Sequence, residues 1–372
     1  MGPEVREVRT RRDLRLFIHL PMKLHRGHRG WVPPLFGEEW DYFRPATNRA
    51  FAFSDAVLAL AGRGGARVGR IMGLVNTRYN RARGENRARF GFLECANEPE
   101  TAAALLGFVE DWARAKGTDR IVGPLGFSDQ DPQGFLIEGF EHEPAVGTNY
   151  NHPFMSALVE GAGYAKDMDY VVYKVGLGGG VPEFYRKIAE RAARKNVCRL
   201  KEYTSRRELE KDMIPILTLM NDCFRELYGY HELDEPEMIA LGKRFLPVLD
   251  PRFVKTALSG PDIVGFNVAM PNLAPGLRKA RGRLFPLGLF WILRAGRRAK
   301  QLDSLVGGIR ADFRGKGVDA ILGCATLASA IAAGFEFVDT HHELEYNQKV
   351  RGEMEKLGGV VYKRQRVYGK DL

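Results

Sequence analysis

Cysteine is scarce in this chain: four in 372 residues, at positions 95, 198, 223 and 324, with no two spaced CxxC. That argues against a disulfide framework or a cysteine zinc site and suits a reducing compartment. Also missing is any apolar run of the roughly 18 residues a spanning helix needs, and the charged stretch 1–15 does not read as a signal peptide. We therefore expect a cytoplasmic protein without a spanning helix, with peripheral attachment to the inner membrane left open. Neither common phosphate-loop pattern, GxxxxGKS/T or GxGxxG, occurs at the one basic, glycine-rich turn that organises the reading below.

What is present points to a large globular protein. Hydrophobic residues at 45% exclude general disorder, and the length suggests two domains. Lys and Arg number 56 against 46 Asp and Glu, a formal charge of +10. An anionic cofactor, an anionic lipid surface and nucleic acid would all suit that balance.

In chain order the pattern predicts a strand at 5–8, helices at 11–24 and 37–43 separated by the Pro33-Pro34 turn, a hairpin of 56–61 with 68–76, and a strand at 89–95. An amphipathic helix at 99–116 carries Leu105, Leu106, Val109 and Trp112 at helical spacing, and a strand at 119–122 follows. The long turn-rich stretch 123–152 is either a functional lid or a connection. A helix at 155–163 and a strand at 170–175 close the first half. The glycine-rich stretch 176–182 then marks a boundary, with a charged helix at 182–196. The second half repeats the order: strand 198–203, helices 208–228 and 235–245, strands 253–257, 263–269 and 304–310, a helix from about Gly317, and strands 335–342 and 360–368. The expected domains are 1–176 and 197–372, joined by a linker helix at 177–196.

The segment 309–334 joins a strand to a small-residue helix through Arg314-Gly315-Lys316-Gly317. Without a Cβ at Gly315 and Gly317, successive backbone NH groups can turn toward one point, and the helix start adds its free NH groups and positive dipole end. This is a cradle for a phosphate or pyrophosphate. The bland alternative is a basic helix start after a surface turn.

A second unusual stretch is the insert 271–301. Residues 273–300 carry Arg278, Lys279, Arg281, Arg283, Arg294, Arg297, Arg298 and Lys300 and no acid, and between the basic clusters lies the uncharged run 284–293 with Phe285, Phe290 and Trp291. That run is too short to span a bilayer but suits the headgroup boundary of an anionic membrane. Lining an acyl tunnel, or packing on the core with its basic ends in solvent, are the alternatives. Nucleic acid is not expected, because the aromatics cluster with aliphatics and do not alternate with the basic residues.

The turn at Arg314-x-x-Gly317-x-Asp319 resembles the R/Q-x-x-G-x-G/A loop of the GNAT acyltransferase superfamily, with Asp where Gly or Ala is usual. The order of elements also resembles a GNAT domain in each half, although the first half has no such loop between strand 89–95 and helix 99–116. Pieces along nearly the whole chain resemble a bacterial group of tandem-GNAT-like proteins related to bacterial ceramide synthase: Trp31-Val32-Pro33-Pro34-Leu35, Val68-Gly69-Arg70-Ile71 with Asn76, Gly123-Pro124 with Phe127-Ser128, Glu138-Gly139-Phe140, Leu344-Glu345 with Asn347, and Tyr362-Lys363 with Arg366-Val367-Tyr368. The resemblance implies an α/β (α+β) protein of two tandem GNAT-like domains, each a mixed, mostly antiparallel sheet flanked by helices. It implies acyl-CoA as co-substrate, held by Gly308, Ile309, Arg310, Arg314, Gly315, Lys316, Gly317, Val318 and Asp319, with Asn347 on the coenzyme arm. The family often has a Tyr seven residues beyond that Asn, as general acid toward the departing thiolate; here it is Met354.

Attack of an amine on a thioester needs a neutral amine, a base or water chain, and NH donors at the oxyanion. The base candidates are His341, His342, Glu343, Glu345 and His231, with Glu94 in the first half a weaker one. Strand alternation would set His342 opposite to His341, Glu343 and Glu345, which also argues against a metal at 341–343. An HHxxxD motif fails because residue 346 is Tyr. The expected activity is transfer of a fatty acyl group from CoA to the amine of a sphingoid base such as 3-oxosphinganine or sphinganine, as in sphingolipid biosynthesis, with no metal. The alternatives are acetylation of a small soluble amine and non-catalytic binding of acyl-CoA or lipid.

Overall fold

The computed structural model describes residues 2–372. The chain forms two compact units that are not consecutive in sequence. The first contains the chain up to Val171 together with Leu273–Ala295 and Lys363–Leu372, and the second contains Val172–Asn272 and Gly296–Tyr362. Two strands therefore pass from one unit into the other, and the insert falls in the first unit, where a sequential split had assigned it to the second.

In the first unit, β1 (Glu4–Glu7) leads to α1 (Arg11–His19) and α2 (Pro21–Leu24). The expected single helix over 11–24 is divided because Pro21 offers no NH to continue the ladder and starts a new helix instead. Thr10 and Asp13 form a capping box at the start of α1. After α3 (Phe36–Tyr42), the hairpin β2 (Ser54–Arg63) and β3 (Ala66–Asn76) ends at Asn76, whose side chain caps α4 (Thr77–Arg83). Then come β4 (Arg87–Cys95), α5 (Pro99–Ala115), β5 (Arg120–Gly123), β6 (Phe135–Glu138), α6 (Phe154–Gly161) and β7 (Ala165–Gly176). The sheet order is β1-β2-β3-β4-β5, continued by the last strand of the chain, whose residues Tyr368–Asp371 pair antiparallel with β5. Leu105, Leu106 and Val109 of α5 are fully buried against Phe90, Ile121 and Val159. Each such side chain contributes about 1.5–3 kcal/mol by leaving water.

In the second unit, α7 (Glu183–Arg194), β8 (Arg199–Glu202), α8 (Arg206–Phe224) and α9 (Glu235–Phe245) precede β9 (Val254–Ser259) and β10 (Asp262–Pro271). The insert follows as α10 (Ala274–Ala280) and α11 (Gly288–Arg298), and the chain returns as β11 (Gln301–Ile309), α12 (Val318–Ala332), β12 (Phe337–Asp339), β13 (Glu343–Leu344), α13 (Gln348–Lys356) and β14 (Val360–Asp371). The sheet runs β7-β12-β11-β10-β9-β8. Val175, Leu302 and Val338 from three neighbouring strands close a core with Leu327 and Ala330 of α12.

The strand expected over 335–342 is shorter than its apolar pattern suggested. It stops at Asp339, because His341 has φ 59, a left-handed conformation that leaves the extended path, and the Asp339 carboxylate holds the His341 backbone NH at 2.7 Å. Among the described residues no helix is long and apolar enough to cross a membrane.

Candidate active site

In the second unit the cradle is built where β11 leaves its neighbour. On one side β11 pairs antiparallel with β10 from Leu302 to Ile309, with a bulge at Leu305. On the other it pairs in parallel with β12 only from Gln301 to Asp303. Beyond Asp303 the second edge of β11 is released from β12, so backbone groups of Ser304–Ile309 on that edge have no ladder partner there. Asp303 and Asp339 are opposite each other at the last paired position and are both fully buried. Asn272 Nδ2 donates to Asp303 at 3.0 Å and Gln301 Nε2 at 2.8 Å, while Tyr362 donates its hydroxyl proton to Asp339 at 2.5 Å. These bonds define where the strands part.

Past Ile309 and Arg310 the chain makes one 3-10 turn and then the expected loop. Arg314 donates from Nε to the Ile309 carbonyl at 3.0 Å, and Gly315 and Gly317 have φ 72 and 85. Gly317 is the N-cap of α12 and has no side chain to satisfy the first-turn NH groups. Arg314, Gly315 and Lys316 are exposed and Gly317 and Val318 are buried. Gly308 comes close to Phe266 and Cys223, where a Cβ would meet atoms at 2.9–3.1 Å. Asp319 adds a negative charge in the first helical turn, and its carbonyl accepts from Tyr185 at 3.1 Å.

The expected base candidates fall on two elements. His341, His342, Glu343 and Glu345 form one stretch between β12 and α13, all half-buried. The left-handed turn at His341 removes the simple strand alternation, and the two imidazoles stand 4.8 Å apart with planes tilted by 48°. Burial pushes the Glu343 carboxyl up to about 8, with the Glu353 charge adding to the rise. The Glu345 carbonyl accepts from Arg351 at 2.9 Å. His231 is buried in the segment between α8 and α9, away in sequence from that group. Asn347 is the N-cap of α13, its side-chain oxygen facing the Val350 NH at 3.5 Å.

In the first unit, Glu94 on β4 is the centre of a polar network that sequence spacing did not reveal. Arg70 on β3 donates to Glu94 Oε1 at 2.8 Å and to the Phe17 carbonyl at 3.0 Å, and Glu39 of α3 lies 3.5 Å from the same guanidinium. His25, just past α2, places Nε2 at 3.1 Å from Glu94 Oε2 and Nδ1 at 2.9 Å from Nδ1 of His28. His152, from the segment before α6, lies parallel to both imidazoles and has Nε2 at 3.1 Å from the Leu24 carbonyl. His25 and His28 are close in sequence, but nothing there announces His152 or Glu94 as their neighbours.

The insert is tied to the first unit at its start and exposed at its apolar turn. Arg278 of α10 forms a two-pronged ion pair with Glu143 and donates to the Gly30 carbonyl, and the Gly282 carbonyl accepts from the Phe36 NH. Beyond that point Phe285 is 75% exposed, Leu287 60%, Phe290 54% and Leu293 53%. The packed-helix alternative therefore holds for α10 and for the buried Gly288 and Ile292, while Trp291 is half-buried and the other apolar side chains of the run face outward.

No family model matches the chain. Over 98% of its length it is 29% identical to a protein named bacterial ceramide synthase from Caulobacter vibrioides, covering 96% of that protein. It is 25% identical over 99% of its length to protein YghO of Escherichia coli, covering 95% of it. Among solved structures, a tandem GNAT protein from the clavulanic acid biosynthesis pathway superposes with a TM-score of 0.58 at 12% identity, covering 99% of this chain and 98% of that one. A GCN5-related N-acetyltransferase from Sphaerobacter thermophilus gives 0.53 at 13% identity, with 99% and 95% covered. The chain has the tandem GNAT fold. Only the second unit carries the glycine-rich turn; the corresponding connection in the first, between β4 and α5, is the short turn Ala96-Asn97-Glu98.

Proposed function

We propose that this chain is an N-acyltransferase that takes a long-chain acyl group from coenzyme A and transfers it to the primary amine of a lipid acceptor, a sphingoid base such as 3-oxosphinganine or sphinganine. The observation that carries the CoA assignment is the release of β11 from β12 at Asp303, directly ahead of the Arg314–Gly317 turn. A pyrophosphate would sit on the NH groups of that turn and of the α12 start, beside the exposed Arg314 and Lys316, and the freed edge of β11 would offer NH groups to the thioester carbonyl as it becomes an oxyanion. The amine nitrogen attacks the carbonyl carbon, an N–C bond forms, the C–S bond breaks, and the departing sulfur takes a proton to give the free thiol. No covalent enzyme intermediate is needed.

The lipid acceptor rests on the insert. Four large apolar side chains that face outward, flanked by basic residues with no acid among them, suit the boundary of an anionic membrane, where a long-chain amine and a long-chain acyl-CoA both reside. The name of the Caulobacter relative agrees with such an acceptor. The test is release of CoA thiol by purified protein given palmitoyl-CoA or acetyl-CoA, each with sphinganine or with a panel of small amines. Release that needs both palmitoyl-CoA and sphinganine supports the proposal. Release confined to acetyl-CoA and a small amine would replace the lipid with a soluble substrate, and no release with any pair would leave a binding protein.

A further inference from the structure

In the first unit β4 and β5 part much as β11 and β12 do in the second. They pair in parallel only from Arg87 to Arg89, and the Phe90 carbonyl then accepts from the Leu125 NH at 2.8 Å. Beyond that bond the β5-facing edge of β4 has no ladder partner, and its register against β3 shifts where Phe92 takes φ 52. Gly91 permits the close approach at this point, since a Cβ there would stand 2.5 Å from the Leu125 carbonyl oxygen. Residues 91–94 of β4 and 124–126 after β5 line a recess, with Trp31, Phe135 and Tyr150 also on its wall. All of these residues belong to the first unit.

We propose that this recess is a ligand site of the first unit's own, which takes a primary alkylammonium with its nitrogen at Glu94 and its first carbons against the aromatic rings. The site lies within one unit and goes beyond the acyl-transfer reading, on which it does not depend.

The charges select a cation. Among the described residues the wall carries one carboxylate, Glu94, and no lysine or arginine. Its side chain is 21% exposed, so its partners do not seal it. Burial alone would raise the carboxyl, but Arg70 and then His25 outweigh it and hold the group down to about 2, so it is an anion. Arg70 serves two carboxyls, donating to Glu94 Oε1 at 2.8 Å and lying 3.5 Å from Glu39. Glu94 Oε2 meets His25 Nε2 at 3.1 Å, and a carboxylate oxygen has lone pairs for a further donor. A primary alkylamine is charged at neutral pH and brings three donors, and aromatic walls attract such a cation. The other polar groups are committed: Tyr150 donates its hydroxyl to the Phe140 carbonyl, and Asn149 and Asn151 donate their amides to the Gly134 and Leu136 carbonyls.

An anion is disfavoured at the same place. The turn after β4 has neither glycine nor a basic residue, and α5 starts at Pro99, which brings no NH, followed by Glu100. A phosphate would meet carboxylates where the second unit presents Arg314 and Lys316, and the nearby Arg63 is already paired, 3.6 Å from Glu98 and 2.6 Å from Glu100. A metal ion fits less well than an ammonium. Ligand nitrogens of His25, His28 and His152 lie within 4.8 Å of one another, but the three rings have planes within 15° and His152 is stacked on the other two, so their in-plane lone pairs do not meet at one point.

The test is calorimetric titration of the full-length protein, with no acyl-CoA present, using decylammonium and decanol below their aggregation limits, and methylammonium. We expect one decylammonium per chain, bound roughly tenfold more tightly than decanol. Trp31→Leu should weaken decylammonium severalfold, and Glu94→Gln, in protein that keeps its melting transition, should abolish the preference for ammonium over alcohol. Methylammonium bound with the same dependence on Glu94 would support the site with a small soluble amine as its ligand, and binding of the decyl compound alone would support it with a lipid amine. Equal affinity of wild type for decylammonium and decanol would overturn the proposal without recourse to any variant. So would a preference that persists in folded Trp31→Leu and Glu94→Gln, because the cation would then bind elsewhere. No thioester enters the experiment, so either failure leaves acyl transfer to be judged by thiol release alone.

Discussion

Gly317 lies so close beneath α7 that a Cβ on it would come within 2.9 Å of the Cβ of Ala192. The residue thus meets two demands at once: a left-handed backbone at φ 85 to start α12, and room for a neighbouring helix. Gly317→Ala should therefore cost about 1–3 kcal/mol of stability through strain and overpacking, seen as a lower urea midpoint, whether or not CoA binds nearby. Loss of activity in that variant would not by itself locate the coenzyme.

Lys316 separates the two roles. It is exposed and meets Phe313 only through its ammonium, 5.1 Å from the ring. Lys316→Glu should leave the melting temperature within a degree or two while raising KM for acyl-CoA by roughly tenfold, about 1.4 kcal/mol of lost attraction. An unchanged KM would move the pyrophosphate away from this turn.

The insert makes a prediction about membranes. Wild-type protein should sediment with vesicles containing phosphatidylglycerol and much less with neutral phosphatidylcholine, and the binding should weaken in high salt. The double variant Phe285→Asp with Phe290→Asp, at side chains 75% and 54% exposed, should lose vesicle binding without losing the fold. Equal binding by wild type and variant would exclude this face as the contact.

Glu39 makes a prediction about pH. Its carboxyl is buried and pushed up to about 7, by burial first, against the pull of Arg70 and helped by Glu94. Below the ordinary value near 4.5 it is protonated in both folded and unfolded chains. Between 4.5 and about 7 the unfolded chain ionises while the folded one resists, so stability falls across that window, by on the order of 2–3 kcal/mol. Glu39→Gln should show a smaller fall between pH 4.5 and 8 in denaturant titrations than wild type. Parallel curves would contradict the assignment.

Asp339 anchors the point where the strands part. It accepts from the Tyr362 hydroxyl and the His341 NH, and Gln301 bridges toward it at 3.4 Å. Asp339→Ala would remove the acceptor of the Tyr362 hydroxyl and the His341 NH, and about 1–3 kcal/mol should be lost. Because those donors set the end of β12, its amides should also exchange faster with deuterium than those of β10.

What the sequence determined by itself is what local chemistry encodes. The turn at Arg314–Gly317 was legible because a left-handed backbone before a helix demands glycine within a few residues, and Gly315 and Gly317 adopt that conformation. The helix α5 was legible from apolar spacing, and α9, expected over 235–245, starts at a capping box of Asp234 and Glu237. The tandem GNAT fold was legible through resemblance, in that turn, in short pieces along the chain and in the order of such elements. Only the tertiary structure decided what depends on residues far apart in the chain. The shortened β12 reflects one left-handed residue, His341, that no hydrophobic pattern marks. The insert joins the first unit because Arg278 meets Glu143, 135 positions away. Glu94 was visible only as a lone acid on a strand; its partners His25 and Arg70 arrive from just past α2 and from β3. Side chains drawn from separate elements converge only when the sheet and helices have been packed, so their chemistry is a property of the fold.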